Sequence, residues 1–128
     1  MVQPGSILNV VDNSGAKSVC CIRVQKGYKR RYSYEGDVIL VSVRALKSKR
    51  RAASKVKKGD VLRALIVRSK TNGLDIYGKS LGFLENSVVL LNSQNKPIGA
   101  RVSGSLSSVF STTKFLKVAS ISNSTILN

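Results

Sequence analysis

Cationic side chains dominate the chemistry that this sequence can perform, and they are concentrated in residues 44–58. That segment contains eight Lys and Arg residues and no carboxylate: Arg44, Lys47, Lys49, Arg50, Arg51, Lys55, Lys57 and Lys58. So many like charges repel one another unless an anionic partner faces them. The segment therefore predicts a binding site for a polyanion.

Two apolar runs flank this segment and predict how it is held. Residues 38–43 precede it and residues 61–67 follow it, and both runs are rich in Val, Leu and Ile. The pair Gly36-Asp37 stands before the first run, and Gly59-Asp60 stands before the second. Gly and Asp favour tight turns, so the same turn is predicted to start both strands. We interpret the segment as a cationic loop held at both ends by buried strands.

A second basic segment, residues 26–34, interleaves cations with three of the four tyrosines. Cations suit contacts with phosphate groups, and tyrosine rings suit stacking on sugars or bases. The alternative is a solvated loop whose tyrosines pack at the rim of a barrel. Over the whole chain the predicted nucleic-acid-binding residues are Lys17, Arg23, Lys26, Lys29, Arg30, Arg31, Tyr32, Arg44, Lys47, Lys49, Arg50, Arg51, Lys55, Lys57, Lys58, Arg68, Lys70 and Arg101.

A net charge of +16 on 128 residues limits the class of partner. Seventeen of the 22 Lys and Arg residues lie in residues 17–70, so the first half of the chain carries most of the charge. Such an excess favours nucleic acid first and an anionic membrane surface second. No run approaches the roughly 18 apolar residues that cross a bilayer, and no basic amphipathic helix is predicted. We therefore expect a nucleic-acid partner and no membrane.

Residues suited to catalysis or metal binding are scarce. The chain has no His for general-base work, and its six carboxylates stand mostly in predicted turns. A Gly-rich phosphate loop with its Lys-Ser/Thr pair is absent from the sequence. Cys20 and Cys21 are adjacent, so on a strand one is expected to be buried and the other half-exposed, without a bond between them. We expect no enzyme, no metal and no cofactor, and the reduced thiols fit an intracellular setting.

Short strands separated by turns predict the first two thirds of the fold. Residues 7–11 and 18–24 form a predicted hairpin, with Val19 and Cys21 on one face and Cys20, Ile22 and Val24 on the other. Asn72-Gly73 predicts a second hairpin turn, whose partner strand runs over residues 74–81. The predicted structural turns are Asp12, Asn13, Ser14, Gly15, Gly36, Asp37, Gly59 and Asp60.

The C-terminal third is less regular. Residues 87–91 predict a strand, residues 105–113 predict a helix, and residues 114–121 fit either a closing strand or a helix. From residue 122 the sequence predicts a frayed tail. Together the strands and turns are typical of a small, mainly β barrel, with one domain over residues 1–122 and a tail over residues 123–128.

Five motifs in order resemble the signatures of one family. They are residues 9–17 (Asn-Val-Val-Asp-Asn-Ser-Gly-Ala-Lys), residues 55–64 (Lys-Val-Lys-Lys-Gly-Asp-Val-Leu-Arg-Ala), a pattern from residues 64–67 through Gly78, Phe83, Asn86 and residues 89–90, residues 97–101 (Pro-Ile-Gly-Ala-Arg) and residues 114–117 (Lys-Phe-Leu-Lys). On these motifs the chain resembles the universal large-subunit ribosomal protein L-fourteen family, of bacterial or organellar type, from about residue 2 to residue 122.

The resemblance implies a fold and a set of partners. The implied fold is a five-stranded β-barrel with a β-hairpin ribbon and a short C-terminal helical segment. The implied role is structural, in the large ribosomal subunit near the subunit interface. The implied partners are large-subunit rRNA, a neighbouring protein of the L-nineteen family, and small-subunit rRNA at inter-subunit bridges. The predicted nucleic-acid-binding residues named above are then expected to contact rRNA.

Three features depart from the family pattern. Tyr77 stands where the family has Asp, Asn or Ser, and the loop over residues 45–54 is longer and more basic than usual. Residues 105–111 replace a charged helix with a Ser-rich run, which removes charges that the family's bridging contact would use. The Ser enrichment and the absence of a presequence favour a mitochondrial matrix ribosome over a bacterial or plastid one.

A free single-strand-binding barrel is the alternative function. Such proteins rely on a row of aromatic stacking platforms along their strands. This chain has only seven Phe, Tyr and Trp residues, and they are clustered. The sequence therefore favours the ribosomal interpretation.

Overall fold

A computed structural model describes residues 1–50, 52–70, 73–74, 80–107, 110 and 115–126 of the protein. In chain order its strands are β1 (Ile7–Val10), β2 (Ala16–Val24), β3 (Val38–Leu46), β4 (Val61–Arg68), β5 (Gly73–Leu74), β6 (Ser80–Leu81), β7 (Ser87–Leu91), β8 (Val102–Ser107) and β9 (Ser122–Ile126). A short 3-10 helix covers Ser48–Arg50, and one α-helix, α1, covers Leu116–Ser120.

Five of these strands close into a barrel in the order β1-β2-β3-β4-β7. Neighbouring strands are antiparallel except β1 and β7, whose parallel pairing closes the barrel. The interior is filled by fully buried side chains of every strand, including Leu8, Val19, Val41, Ile66 and Leu90. The predicted five-stranded barrel and the predicted hairpin of β1 and β2 are both confirmed.

The C-terminal segment covers one side of the barrel. Leu65 and Leu91 point out of the barrel and pack with Leu106, Phe110 and Val118 in a second core. Residues 64–67 of β4 and all of β7 are consequently buried on both faces. Strand β3 is less covered: residues 38–43 alternate between half-buried and buried, and Arg44 is exposed. The prediction of strands buried on both faces is therefore right for the middle of β4 and wrong for β3.

A bulge in β2 changes which side chains face the core. The pairing of β2 with β3 shifts register between Cys21 and Arg23, so Ile22 and Arg23 both lie exposed and Val24 returns to the interior. An extra residue in one strand has this effect. The predicted placement of Val24 on the face of Ile22 is wrong for that reason. The two thiols are free, with Cys21 buried and Cys20 half-buried, as predicted.

The two Gly-Asp pairs form the same turn at the two ends of the β3–β4 pairing. Gly36 and Gly59 have φ of +85° and +90°, values that favour glycine. In each turn a residue of the opposite strand accepts a hydrogen bond from the Gly N–H and donates its own N–H to the Asp carbonyl. In the first turn Gly36 N donates to Ile66 O (2.9 Å) and Ile66 N donates to Asp37 O (3.1 Å). In the second, Gly59 N donates to Val43 O (2.9 Å) and Val43 N donates to Asp60 O (3.0 Å). The predicted reuse of one turn before two strands is confirmed.

The predicted hairpin at Asn72-Gly73 differs from the structure. Gly73 begins β5, which pairs with β6, whereas β4 pairs with β3 and β7. A partner strand for β4 over residues 74–81 is therefore wrong, because β7 occupies that edge. Asn72 and residues 75–79 lie outside the described residues.

The C-terminal predictions need a second correction. A helix was expected over residues 105–113, but residues 102–107 form β8, which pairs in parallel with β9. Val102 and Leu106 are both buried in the second core, which fixes the strand against β4 and β7. Residues 108–109 and 111–114 lie outside the described part of the chain. Of the two alternatives for residues 114–121 the helix is confirmed, beginning at Leu116, whereas the tail that was expected to fray forms β9 as far as Ile126. No helix among the described residues is long and apolar enough to span a bilayer.

Candidate nucleic-acid interface

The turn over residues 12–15, here called the anchor turn, is tied into the barrel by a buried carboxylate. Asp12 is 2% exposed, and its Oδ2 accepts a hydrogen bond from Leu90 N at 3.1 Å. Its Oδ1 accepts from Ser14 N at 3.1 Å and from Ser14 Oγ. A buried carboxylate is tolerated because donors satisfy it, and removing such a partner is costly. The turn is thus a fixed part of the barrel.

The anchor turn holds the basic loop, residues 47–60, at its first residue and again at Lys55. Lys47 N donates to Gly15 O and Lys55 N donates to Ser14 O, both at 2.9 Å. Gly15 has φ of +101°, and a Cβ there would lie 2.5 Å from Ser54 Cβ. Glycine is therefore required on both conformational and steric grounds. The close approach positions the loop against the barrel.

Most cations of the basic loop face solvent. Lys47 is half-buried, and its Nζ donates to Asp12 O at 3.2 Å, while Lys55 Nζ donates to Ile98 O at 3.2 Å. Lys49, Lys57 and Lys58 are exposed. Within the described part of the chain no carboxylate lies within 4.0 Å of any of these amines. The side chain of Arg50 and all of Arg51 lie outside the described residues.

Arg44, predicted as part of this loop, belongs to β3, because that strand continues to Leu46. Its side chain is exposed on the outer face of the barrel beside the loop. The basic segment therefore consists of the end of a strand followed by a loop.

The anchor turn also positions a third chain segment. Asn13 Oδ1 accepts hydrogen bonds from Ala100 N at 2.7 Å and Arg101 N at 3.4 Å. This places Arg101 along the same cleft as Lys17 and Lys49. Lys17 and Lys49 are 32 residues apart in the chain, and Lys49 and Arg101 are 52 residues apart, but the fold brings all three to one cleft.

The tyrosine segment, residues 26–34, has a different electrostatic environment. Lys26 Nζ lies 2.8 Å from Asp37 Oδ1, and Arg30 Nη2 lies 3.6 Å from Asp37 Oδ2. Arg30 also stacks over the Tyr34 ring at 5.9 Å from its centroid. Tyr28 is 90% exposed, with the Lys29 amine over its ring at 5.4 Å. The segment exposes its tyrosines, but part of its positive charge already has an anionic partner.

The two basic regions lie at opposite ends of β2 and β3. Ala16 pairs with Leu46 beside the anchor turn, and Val24 pairs with Ile39 beside the tyrosine segment. Each strand has nine residues. At about 3.3 Å per residue the regions are roughly 25 Å apart.

Arg68, also predicted to bind nucleic acid, contacts the C-terminal strand β8. Arg68 is half-buried, and its Nε donates to Ser105 O at 3.0 Å while its Nη2 donates to Ser103 O, so the guanidinium holds β8 against β4. Burial lowers the pKa of Arg68 from its usual value, and nearby Glu85 opposes that shift.

Most of the predicted nucleic-acid-binding residues are exposed. They are Lys17, Arg23, Lys26, Lys29, Arg30, Arg31, Tyr32, Arg44, Lys49, Lys55, Lys57, Lys58, Lys70 and Arg101.

Sequence reasoning missed the exposed cation Arg63 and the apolar part of the cleft. Arg63 is exposed on β4, with its Nη1 3.2 Å from Asn95 Oδ1. Ala45, Leu46 and Val102 line the cleft beside Lys49. Their apolar character gave no signal in the sequence, because the cleft joins segments that are distant along the chain.

The chemistry of this surface is that of a polyanion-binding protein. Among the described residues no three His, Cys, Asp or Glu side chains gather as a metal site. The family described as Ribosomal protein L14p/L23e matches residues 1–126, nearly the whole chain, which confirms the resemblance carried by the motifs. The chain therefore belongs to the Ribosomal protein L14p/L23e family, which is a non-enzymatic structural component of the large ribosomal subunit and has rRNA and ribosomal proteins as its general partners.

Proposed function

We propose that this protein binds large-subunit rRNA chiefly through the basic loop, and through the tyrosine segment as a second contact. The observation that carries the proposal is the exposure of Lys49, Lys57 and Lys58 on a loop fixed at both ends, without a carboxylate partner among the described residues. An arrangement of this kind is stable when phosphate groups supply the missing negative charge.

The mechanism is electrostatic neutralisation by a preformed loop. The barrel supplies a rigid support, and the anchor turn holds the loop before RNA arrives, so little conformational entropy is lost on binding. Each amine that meets a phosphate releases condensed counterions, which drives association. Contacts to phosphate and sugar position the protein on its RNA, and base readout is a minor contribution.

The family resemblance supports a proposed position within the ribosome. We assign the protein to the region near the subunit interface, beside a protein of the L-nineteen family, with a contribution to bridges with small-subunit rRNA. The described residues of β8 include no cation, so the bridging contact is assigned to exposed Lys and Arg residues elsewhere on the surface. Chemical crosslinking of intact ribosomes, followed by identification of the linked peptides, tests this assignment.

We also propose a mitochondrial ribosome as the compartment, on the basis of the Ser-rich segment at residues 105–111 and the long basic loop. Fractionation of cells with an antibody to the chain tests this proposal. Recovery with the large subunit of mitochondrial ribosomes is the expected result. Recovery only with plastid or bacterial ribosomes would contradict it.

The salt dependence of rRNA binding tests the central part of the proposal. Changing Lys49, Lys57 and Lys58 together to Ala is expected to weaken binding to large-subunit rRNA. The slope of log K against log salt concentration should fall by about 2 to 3, because each lost phosphate contact reduces it by roughly 0.7 to 0.9. The matched control changes Lys96 and Lys117 to Ala, two exposed lysines outside the basic loop and the tyrosine segment. An unchanged slope in the triple variant would refute the role of the loop.

A further inference from the structure

A cleft of about 890 Å³ opens beside the anchor turn. Buried Val11 and Val102 and half-buried Leu46 form an apolar part of its lining. The exposed side chains of Lys17, Lys49 and Arg101 also line it and supply positive charge. Its volume lies within the range of about 300–1,000 Å³ that is typical of small-molecule sites. Phosphate neutralisation needs exposed cations but no apolar recess, so the proposed loop contact does not account for this shape.

Hydrogen bonds fix the walls of the cleft. The backbone of Lys47 is held by Gly15 O at 2.9 Å, and the Lys47 amine is held by Asp12 O at 3.2 Å. On the other side, Asn13 Oδ1 holds the backbone of Ala100 and Arg101. Because both walls are tied to the same buried turn, the cleft exists before a ligand enters. A preformed cavity reduces the ordering cost of binding.

We infer that this cleft receives one unstacked nucleotide of the rRNA, with its base against the apolar lining and its phosphates on the surrounding cations. The inference rests on the proposed rRNA binding and adds a subsite to it. An unstacked base presents two apolar faces and a polar edge, and sequence-specific RNA recognition commonly uses such bases. The combination of apolar lining and three cations fits that chemistry.

The polar groups of the cleft suit a nucleotide. Asp12 is the one carboxylate among the described lining residues, and both its oxygens already accept hydrogen bonds from the barrel and the turn. The Asn13 amide nitrogen has no hydrogen-bond partner among the described residues, because only Oδ1 is engaged. A free amide donor at the wall suits the carbonyl or ring-nitrogen acceptors at a base edge.

Chemical probing of rRNA in intact large subunits tests the inference. Subunits would carry the wild-type chain, an Ala45→Trp variant that fills the cleft, or a Gln94→Trp control at an exposed turn residue outside the cleft and outside both basic regions. Dimethyl sulfate and a carbodiimide together modify the Watson–Crick edges of all four bases. One nucleotide is expected to be protected in the wild-type and control subunits and about tenfold more reactive in Ala45→Trp, as loss of a base–protein contact would give.

The outcomes separate the cleft from the general rRNA contact. Equal reactivity of every nucleotide in Ala45→Trp and Gln94→Trp subunits would overturn the inference, although both chains would still be bound to rRNA. Loss of all three chains from the subunits during high-salt washing would instead count against the proposed function. Ultraviolet crosslinking of wild-type subunits covers the case in which Ala45→Trp does not assemble. A nucleotide linked to residues 45–49 or 101–103 supports the inference, and a protein peptide crosslinked there in its place overturns it.

Discussion

The basic loop and the tyrosine segment are both rich in Lys and Arg, but they differ in how far carboxylates of the chain neutralise their positive charge. In the tyrosine segment Asp37 accepts both Lys26 and Arg30, so part of the positive charge is neutralised within the chain. In the basic loop the equivalent turn residue, Asp60, accepts a backbone hydrogen bond from Lys57 N at 2.8 Å and pairs with no described cation. Cation density alone therefore does not identify a phosphate-binding surface. A cation must also be free of a carboxylate partner within the chain to bind phosphate readily.

Support by the barrel is the second difference between the regions. The basic loop is held by hydrogen bonds from Lys47 and Lys55 to the buried anchor turn. Residues 26–32 of the tyrosine segment are all exposed, and Lys29 has a positive φ of 57°. The loop is therefore the better preorganised of the two surfaces.

Two glycine substitutions give the largest expected difference between the regions. Gly15→Ala should lower the free energy of unfolding by about 2–5 kcal/mol, because a positive φ costs about 1–2 kcal/mol and overpacking against Ser54 adds about 1–3 kcal/mol. Gly27→Ala is the matched control, with φ of +79° and no atom within 4 Å of the new Cβ. It should lose only the backbone part, about 1–2 kcal/mol. Urea denaturation measures both, and equal losses would show that the contact between Gly15 and the loop is unimportant.

Removing the carboxylate that neutralises the tyrosine segment should strengthen RNA binding. Asp37→Asn keeps an oxygen for the hydrogen bond from Tyr34 N, now 3.0 Å, but releases Lys26 and Arg30. We expect affinity for rRNA to rise by up to about fivefold, because the cations no longer have to leave the buried Asp37 carboxylate, and an ion pair whose cation is partly exposed contributes up to about 1 kcal/mol. The control is Asp60→Asn, at the same position of the equivalent turn. A filter-binding titration that finds no gain specific to Asp37→Asn would show that the tyrosine segment does not contact RNA.

The smallest expected effect concerns the pH dependence of stability. Burial raises the pKa of Glu35, beside the turn of the tyrosine segment, against the opposing effects of its hydrogen bond from Ser69 N and the nearby N-terminal amine. The folded state therefore binds this proton more tightly than the unfolded state, so the Glu35 contribution to stability is greatest at low pH and falls as pH rises through the folded pKa. Glu35→Gln should remove that part of the decline. Thermal unfolding between pH 4 and pH 7 measures it, and an unchanged pH profile would contradict the prediction.

Local sequence patterns predicted the barrel and its turns well. The run of residues 61–67 and the run of residues 87–91 gave strands, and both Gly-Asp pairs gave turns, because these signals depend on near neighbours in the chain. The adjacent cysteines were placed correctly for the same reason, since alternation along a strand puts one of them inside. The bulge after Cys21 places Val24 on the other face of the strand, and no residue type in this segment predicts a bulge.

Features that depend on distant segments were not predictable from the sequence. Asp12 was recognised as a turn residue, but its hydrogen bond to Leu90 N joins residues 78 apart in the chain. Arg68 was predicted to contact nucleic acid, yet its donors reach the carbonyls of β8. The Ser-rich β8 resembles a loop or a capped helix until its parallel pairing with β9 is known. In each case the decisive partner is supplied by the closed barrel.

Lysine reactivity in the assembled subunit tests the central claim, that the basic loop is the principal rRNA contact. Free chain and intact large subunits would be acetylated with a soluble amine reagent, and the modification of each lysine would be measured by mass spectrometry. We expect the greatest protection from acetylation at Lys49, Lys57 and Lys58. The change should be smaller at Lys26, whose amine already lies 2.8 Å from Asp37, and small at exposed Lys96. Loop lysines that stay as reactive in the subunit as in the free chain would contradict the central claim.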